Sequence, residues 1–419
     1  MKVITKMPSF SYLRIDLIKK IPLFSLYFLS LLFISCEDDD ISFDEGNSGE
    51  IPSRLVSYEL VGSRSQEQTA LVIQLAGFGE VADLVTSGYE IYNVTYTTQY
   101  LGEEIIVSGL VSFPDEKSPS PLLSFQNGTN TSYGNAPSRD NTGLFELLAG
   151  IASMGYICTV PDYIGFGSTE GLVAPYHHAE IIAQTVKDLI VAAKELAIEL
   201  EFEFTNNIFL AGYSEGGYAA MATHKNIQES GFDGFNLIAS APASGGYDVK
   251  GFQEYYFNQE TYANPHYFAF VGLSYQHIYN QNQLISDVFQ EPFASEIPKL
   301  FDGSLTGFQI DERLTLVVAD LIEPDILDNL DTDPRYAYLV DALNENTITN
   351  WKPIAPMFMY HGDQDITVPF QNSVDSYNQM LQAGASEENL TLITLEGTNH
   401  TTGLIPYLTD MLQRFDQLK

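Results

Sequence analysis

One serine, one of two aspartates and one histidine stand in this chain where they could work together on an acyl group. Ser214 lies in Gly212-Tyr213-Ser214-Glu215-Gly216, between the apolar run that starts at Ile208 and the helical stretch GGYAAMATH. A strand that turns straight into a helix around a serine needs small residues two places to either side. The turn is too tight for side chains there, and it lifts the hydroxyl clear at a helix N-terminus. Gly217, Ala219 and Ala220 let the helix pack closely behind such a turn. A hydroxyl is a weak nucleophile at neutral pH, so it needs a base to take its proton and an acid to orient that base. A glycine-rich turn with an idle exposed serine would need neither.

The run MFMYHGDQDITVPF reads as a strand and a loop carrying Asp363 and Asp365, either of which could be the orienting acid. Where a strand–turn–helix serine is used, its partners follow in the order acid, then histidine. Of the 7 histidines only His400 lies beyond both aspartates, since His177, His178, His224, His266, His277 and His361 all precede Asp365. His400 sits in the loop LEGTNHTTG, after a predicted strand and just before the last helix. None of the histidines forms the HExxH spacing of a zinc site, and acyl transfer through serine calls for no metal or organic cofactor. The oxygen that becomes negative during attack needs two backbone N–H donors. Glu215 supplies one, and the loop LLSFQNGTNTS supplies the other through Gly128 and Thr129, the N–H of the residue after the glycine facing the oxygen.

These residues need a scaffold, and the hydrophobic pattern specifies one. From Tyr89, β-branched and aromatic residues on either side of a Gly-containing break predict an antiparallel hairpin. Strands are then expected at 122–126, 156–160, 208–212, 237–241, 356–360 and 390–395, with helices at 144–154, 179–200, 217–229, 371–383 and 404–415. Short apolar runs alternating with longer helical ones indicate an α/β fold, a mostly parallel sheet with helices on both faces. The alternation breaks once, over residues 247–352, too long for a connecting loop and therefore an inserted cap. The core is then 53–246 and 353–419. Cys158, within GYICTVPD, reads as a small buried residue.

With those motifs assigned, PDYIGFGSTEGLVAPY followed by a long helix, GYSEGG and HGDQDITVP resemble the secretory lipase family and its bacterial lipoprotein esterase relatives, within the α/β-hydrolase superfamily. The resemblance runs from Ile51 to the C-terminus, specific in the core and weak in the cap. It implies an α/β-hydrolase fold with the cap after the sixth core strand, and cleavage of carboxylic esters, which in some members include acylglycerols. The family pattern HGxxDxxVP places the orienting role on Asp365 and leaves Asp363 to cap its loop. The segment with Asp162, Tyr163, Gly165 and Gly167 is similar to a family loop near the site. A catalytic triad of Ser214, Asp365 and His400 would then act through an acyl-enzyme, with the amides of Glu215 and Thr129 holding the oxyanion. Two other readings use the same residues or none of them: a serine peptidase of the prolyl-peptidase type, and a non-catalytic surface adhesion module.

The first 35 residues read separately. Lys2, Lys6, Arg14, Lys19 and Lys20 precede an uncharged apolar run from Ile21 to Ile34, the pattern of an export signal. Such a run spans only about 21 Å as a helix, short of the roughly 30 Å hydrocarbon core. It ends at Ser35 and Cys36, which resembles a lipobox whose cysteine is lipidated, and Glu37 to Asp40 resemble a signal for display on the outer membrane or cell surface. Residues 36–52 read as an acidic tether. The whole chain has a net charge of −36, from 19 Lys plus Arg against 55 Asp plus Glu. Without residues 1–35 the count is 14 against 54, a net of 14 − 54 = −40. That charge excludes nucleic acid as a partner, because phosphate binding needs a basic footprint. The expected partners are a small ester or acylglycerol and, through the N-terminal lipid, a membrane. The acidic run EPDILDNLDTDPRY lacks the spacing of a calcium loop and reads as a solvated face.

Overall fold

In the computed structural model the described residues are 52–139 and 144–419. The expected export signal, the expected lipidation site Cys36 and the expected tether up to Ile51 lie outside them. The described residues build one 9-stranded sheet in the order β1-β2-β3-β5-β4-β6-β7-β8-β9. The strands are β1 (Leu55–Arg64), β2 (Tyr89–Tyr100), β3 (Glu103–Pro114), β4 (Ser120–Gln126), β5 (Ile157–Pro161), β6 (Phe204–Tyr213), β7 (Asn236–Ala243), β8 (Met357–Gly362) and β9 (Leu390–Leu395). The pairs β1–β2, β2–β3 and β3–β5 are antiparallel, and every pair from β5–β4 to β8–β9 is parallel.

Local chemistry explains the two halves. The β2–β3 hairpin turns through Leu101 and Gly102, with φ of 51° and 86°. Two successive left-handed residues give a turn whose twist matches that of the strands it joins. Strands β4 and β5 are buried at every position, as expected of parallel strands covered on both faces. One face carries the helices Ala179–Glu199 and Glu215–Ser230, whose side chains Val186, Leu189, Ile190, Tyr218 and Met221 share a core with β2, β4 and β6. The other face packs helix Leu404–Leu418, through Tyr407, Met411 and Phe415, on Phe209 and Tyr360. Cys158 is buried on this second side, and burial pushes its thiol up to about 12.

Residues 244–356, between β7 and β8, contain no strand of the sheet and are mainly helical, with the longest helix at His266–Ile278. They meet the core over the C-terminal ends of the strands. Tyr262 OH donates to Thr367 O (2.6 Å), Tyr275 OH to His177 O (3.0 Å), and Thr131 Oγ1 to Leu305 O (2.9 Å). The expected helix at 144–154 is a helix only over Leu144–Ala149 and continues as a 3-10 turn over Gly150–Met154, because glycine interrupts it. Within EPDILDNLDTDPRY, Asp325 and Asp333 both accept from Arg335, at 2.6 and 2.7 Å.

Candidate active site

Ser214 is the single residue between β6 and the helix Glu215–Ser230, with φ 62° and ψ −122°. A non-glycine side chain pays about 1–3 kcal/mol for such a conformation and keeps it only where the surroundings impose it. The surroundings do so here by close approach. A Cβ on Gly212 would strike the carbonyl of Gly216, one on Gly216 that of Gln126, and one on Gly217 that of Ala243. The turn is thus clamped between β4, β7 and its own helix. Tyr407 adds a second clamp, accepting from Gly212 N (2.9 Å) and donating to Ala241 O (2.7 Å).

The three residues singled out for chemistry come together. His400 Nε2 lies 3.0 Å from Ser214 Oγ, and its Nδ1 lies 2.6 Å from Asp365 Oδ2. Burial on its own would raise the Asp365 carboxyl, but hydrogen bonds from His361 and His400 outweigh it and hold the group down to about 2. An ionised carboxylate only accepts, so Nδ1 of a neutral His400 carries the proton and Nε2 is the acceptor facing the serine hydroxyl. The other oxygen of Asp365 accepts the N–H groups of Thr367 (2.9 Å) and Val368 (3.1 Å). Asp363 instead accepts from Gly397 N (2.7 Å), tying the loop after β8 to the loop after β9. The two competing acids are therefore separated by geometry, one on the imidazole and one on backbone.

Gly128 faces the turn, where an added Cβ would lie 3.4 Å from Tyr213 O and 3.6 Å from Ser214 Cβ. Neither the N–H of Thr129 nor that of Glu215 has a hydrogen-bond acceptor among the described residues. Two unengaged donors thus flank the serine. The loop that carries Thr129 is held by two phenols from the segment after β5: Tyr163 OH donates to Asn127 O (3.2 Å), and Tyr176 OH lies 2.9 Å from Thr129 Oγ1. Asp162 ties that segment to β3 and to the turn Pro137–Arg139, accepting from Ser108 Oγ (2.5 Å) and from both N and Oγ of Ser138.

Several residues that support this constellation were not singled out by the sequence. His361 sits in the core with Nε2 donating to Val368 O (2.9 Å) and 3.3 Å from Asp365 Oδ2, while Nδ1 accepts from Ser373 Oγ (2.6 Å). It braces the acid from below. Tyr213 OH donates to His400 O (2.8 Å), which fixes the loop that presents the imidazole. The usable signal for His361 was its place four residues before Asp365 at the end of a strand. Tyr213 offered none, because its partner is backbone 187 positions away.

Beside the site, residues 244–356 enclose an apolar cavity of about 60 Å³ lined by Tyr176, Val249, Phe252, Tyr267, Val288, Leu339 and Leu343, among others. Tyr176 joins this cavity to the Thr129 loop, and its ring stacks on Phe270 at 4.4 Å. Phe270 belongs to the wall of a second, larger cleft of about 620 Å³, which also includes Thr131, Tyr133, Gln276 and Asp302.

No family model and no curated protein matches the chain. Solved structures do. A candidate hydrolase of Legionella pneumophila aligns with a TM-score of 0.78 at 24% identity, covering 87% of this chain and 98% of its own. The rice cell wall degrading esterase LipA of Xanthomonas oryzae aligns at 0.74 and 22%, covering 87% and 99%. Candida antarctica lipase A in its closed state aligns at 0.64 and 16%, covering 87% and 83%. At such identities the likeness speaks for architecture, and together with the strand order and the turn at Ser214 it shows that this chain has the α/β-hydrolase fold.

Proposed function

We propose that the protein is a serine carboxylester hydrolase that works through an acyl-enzyme on esters with apolar acyl groups. The observation that carries this reading is the continuous hydrogen-bonded line from Ser214 Oγ through His400 to Asp365, at 3.0 and 2.6 Å. His400 Nε2 takes the Ser214 proton as the oxygen attacks the ester carbonyl. The N–H groups of Thr129 and Glu215 receive the oxyanion, and the ionised Asp365 stabilises the imidazolium that forms. His400 then gives the proton to the departing alcohol, and water repeats the sequence on the acyl-enzyme. The apolar cavity beside Tyr176 supports an apolar acyl group, since nothing charged lines it. Ester preference also draws on what the esterase and lipase neighbours are called.

The test is direct. A fluorophosphonate probe should label the wild-type protein and leave Ser214→Ala unlabelled, and the variant should lose on the order of 10⁶ in kcat on a p-nitrophenyl ester. More than a tenth of the activity remaining would remove Ser214 from the role. Faster turnover of a prolyl or alanyl nitroanilide than of any ester would make the protein a peptidase instead.

The N-terminal pattern supports a further part of the proposal, that the protein is exported and anchored through Cys36 at the outer membrane or cell surface. Two or three acyl chains anchor a protein stably, whereas one does so only marginally. Cys36→Ser should move the protein from the membrane fraction to the soluble one; continued membrane association after a salt wash would refute the anchor.

A further inference from the structure

His177 is a buried histidine with no part in the scheme above, and it stands next to the catalytic groups by two routes. Its predecessor Tyr176 meets Thr129, and its own ring packs 4.4 Å from that of Tyr218, whose N–H donates to Ser214 O (3.1 Å) one turn along the helix. The backbone of His177 is left-handed, with φ 52°, which a non-glycine residue keeps only where the fold imposes it. Two phenols impose it, since Tyr218 OH (3.2 Å) and Tyr275 OH (3.0 Å) both donate to the His177 carbonyl. A Cβ added to Gly246 would lie 3.4 Å from Cε1 of the ring and 3.2 Å from Cδ1 of Phe252. The two rings are thus neighbours, and both residues line the apolar cavity of about 60 Å³.

What sets His177 apart is that its ring holds nothing. Among the other buried histidines, Nδ1 of His178, His224, His266 and His361 engages Ile181 N, Ser240 Oγ, Asp311 Oδ2 and Ser373 Oγ respectively. Neither ring nitrogen of His177 has a hydrogen-bond partner among the described residues, although the residue is only 7% exposed. Nor are those nitrogens sealed inside the protein, as Nε2 of His224 is. The other polar side chains of the cavity wall are Tyr176, Gln253 and Tyr267; the first meets Thr129, and Oε1 of the second accepts from Lys250 Nζ (3.0 Å). Apolar walls with a few placed polar groups are how a pocket fixes the orientation of its ligand.

We propose that His177 determines specificity within the acyl site by hydrogen-bonding a hydroxyl carried on the acyl chain, so that hydroxylated acyl esters are favoured over their plain counterparts. This rests on the reading of Ser214 as the nucleophile and of the cavity as the acyl site. Burial pushes the imidazole down to about 3, so around neutral pH the ring is uncharged, with one nitrogen that donates and one that accepts. A hydroxyl does both as well, which matches it to either nitrogen. An all-carbon chain that enters the cavity shuts the ring off from water and leaves its nitrogens unpaired. A chain carrying a hydroxyl restores the lost bond. A site built around such a bond rejects the analogue that lacks the hydroxyl, and does so more strongly than apolar walls tell one methylene from none.

The experiment compares kcat/KM on the p-nitrophenyl esters of hexanoate, of each enantiomer of 3-hydroxyhexanoate and of 6-hydroxyhexanoate, each divided by its rate of spontaneous hydrolysis, for the full chain and its variants. Wild type should turn over at least one hydroxylated ester about tenfold better than hexanoate. His177→Phe keeps an aromatic ring but has no polar atom in it. Its turnover of hexanoate should rise while that of the favoured hydroxy ester falls, a crossing that general damage to the fold does not produce. Wild type that handles hexanoate as well as every hydroxylated ester overturns the proposal, and so does a His177→Phe variant whose preference is intact. Should His177→Phe not fold, His177→Gly accepts the left-handed backbone without strain, and a preference that survives in it overturns the proposal equally. A chain that turns over no ester brings down the catalytic reading and this inference with it; ester turnover with no preference that depends on His177 brings down the inference alone.

Discussion

The Asp365 carboxylate is the most heavily engaged acid of the site, with two backbone N–H groups on one oxygen and two imidazoles on the other. Its neighbour but one, Asp363, touches neither imidazole and serves only Gly397 N. Exchanging each for its amide should therefore separate them sharply. Asp365→Asn should lower kcat by about 10⁴, because the amide favours the wrong His400 tautomer, while Asp363→Asn should cost far less. The reverse ranking in steady-state kinetics would reassign the acid. The same contacts make a stability prediction. An aspartate held at about 2 and returning to about 4 when unfolded stabilises the native state above pH 4, and that stability is lost as pH falls through 2. The difference amounts to about 2 kcal/mol. Urea midpoints of wild type should fall between pH 4 and 2 more steeply than those of Asp365→Asn, and parallel curves would show that the carboxylate is not ionised in the fold.

At the scale of elements, what was legible in the sequence was whatever a short window encodes. The parallel strands read as apolar runs because they are buried on both faces, and the turn at Ser214 read from its glycines because each has a backbone carbonyl in the way of a side chain. Strand β1 did not read, since Val56, Leu60 and Val61 are 47%, 52% and 48% exposed and no face of it alternates cleanly. The helix Gln66–Leu75 was missed for a similar reason, with Thr69 and Ile73 its only buried residues. The contacts of Tyr163, Tyr176 and Tyr213 were beyond reach because each joins segments 36 or more positions apart in the chain. The turn itself yields a contrast that tests the clamp. A methyl group on Gly216 would be driven into the backbone of Gln126 and Asn127, the root of the loop that carries Thr129, whereas one on Gly128 would meet only ordinary contacts at 3.4 and 3.6 Å. Gly216→Ala should lose at least 1–3 kcal/mol of stability, the usual cost of overpacking, together with most of its kcat. Gly128→Ala should lose less of both, and equal losses would mean that the clamp is not what holds the turn.

For the molecule as a whole, the sheet sets the reacting groups and residues 244–356 set what reaches them, so substrate choice should follow the cavity those residues enclose. That cavity is apolar and small, about 60 Å³, with Tyr176 at the Thr129 end and Leu343 among its other walls. Each methylene moved from water into it contributes about 0.8 kcal/mol, so four more carbons could favour a longer acyl chain by up to roughly 3 kcal/mol. Beyond the length that fills the space the gain should stop. The protein should therefore prefer butyrate to octanoate esters over acetate in kcat/KM, and amides should be cleaved poorly. Leu343→Phe fills part of the space from a helix that does not touch Ser214, so it should depress octanoate more than acetate. Charge acts over a longer range than the cavity. With a net charge of −36, the protein should penalise an anionic acyl group, and added salt should relieve the penalty by screening without changing the order among neutral esters. The discriminating measurement is a p-nitrophenyl ester series from acetate to dodecanoate, with a succinate half-ester, at low and high salt. Highest kcat/KM on acetate, or a Leu343→Phe variant that lowers all chain lengths alike, would place the acyl group elsewhere, leaving the cavity as packing space within the helices.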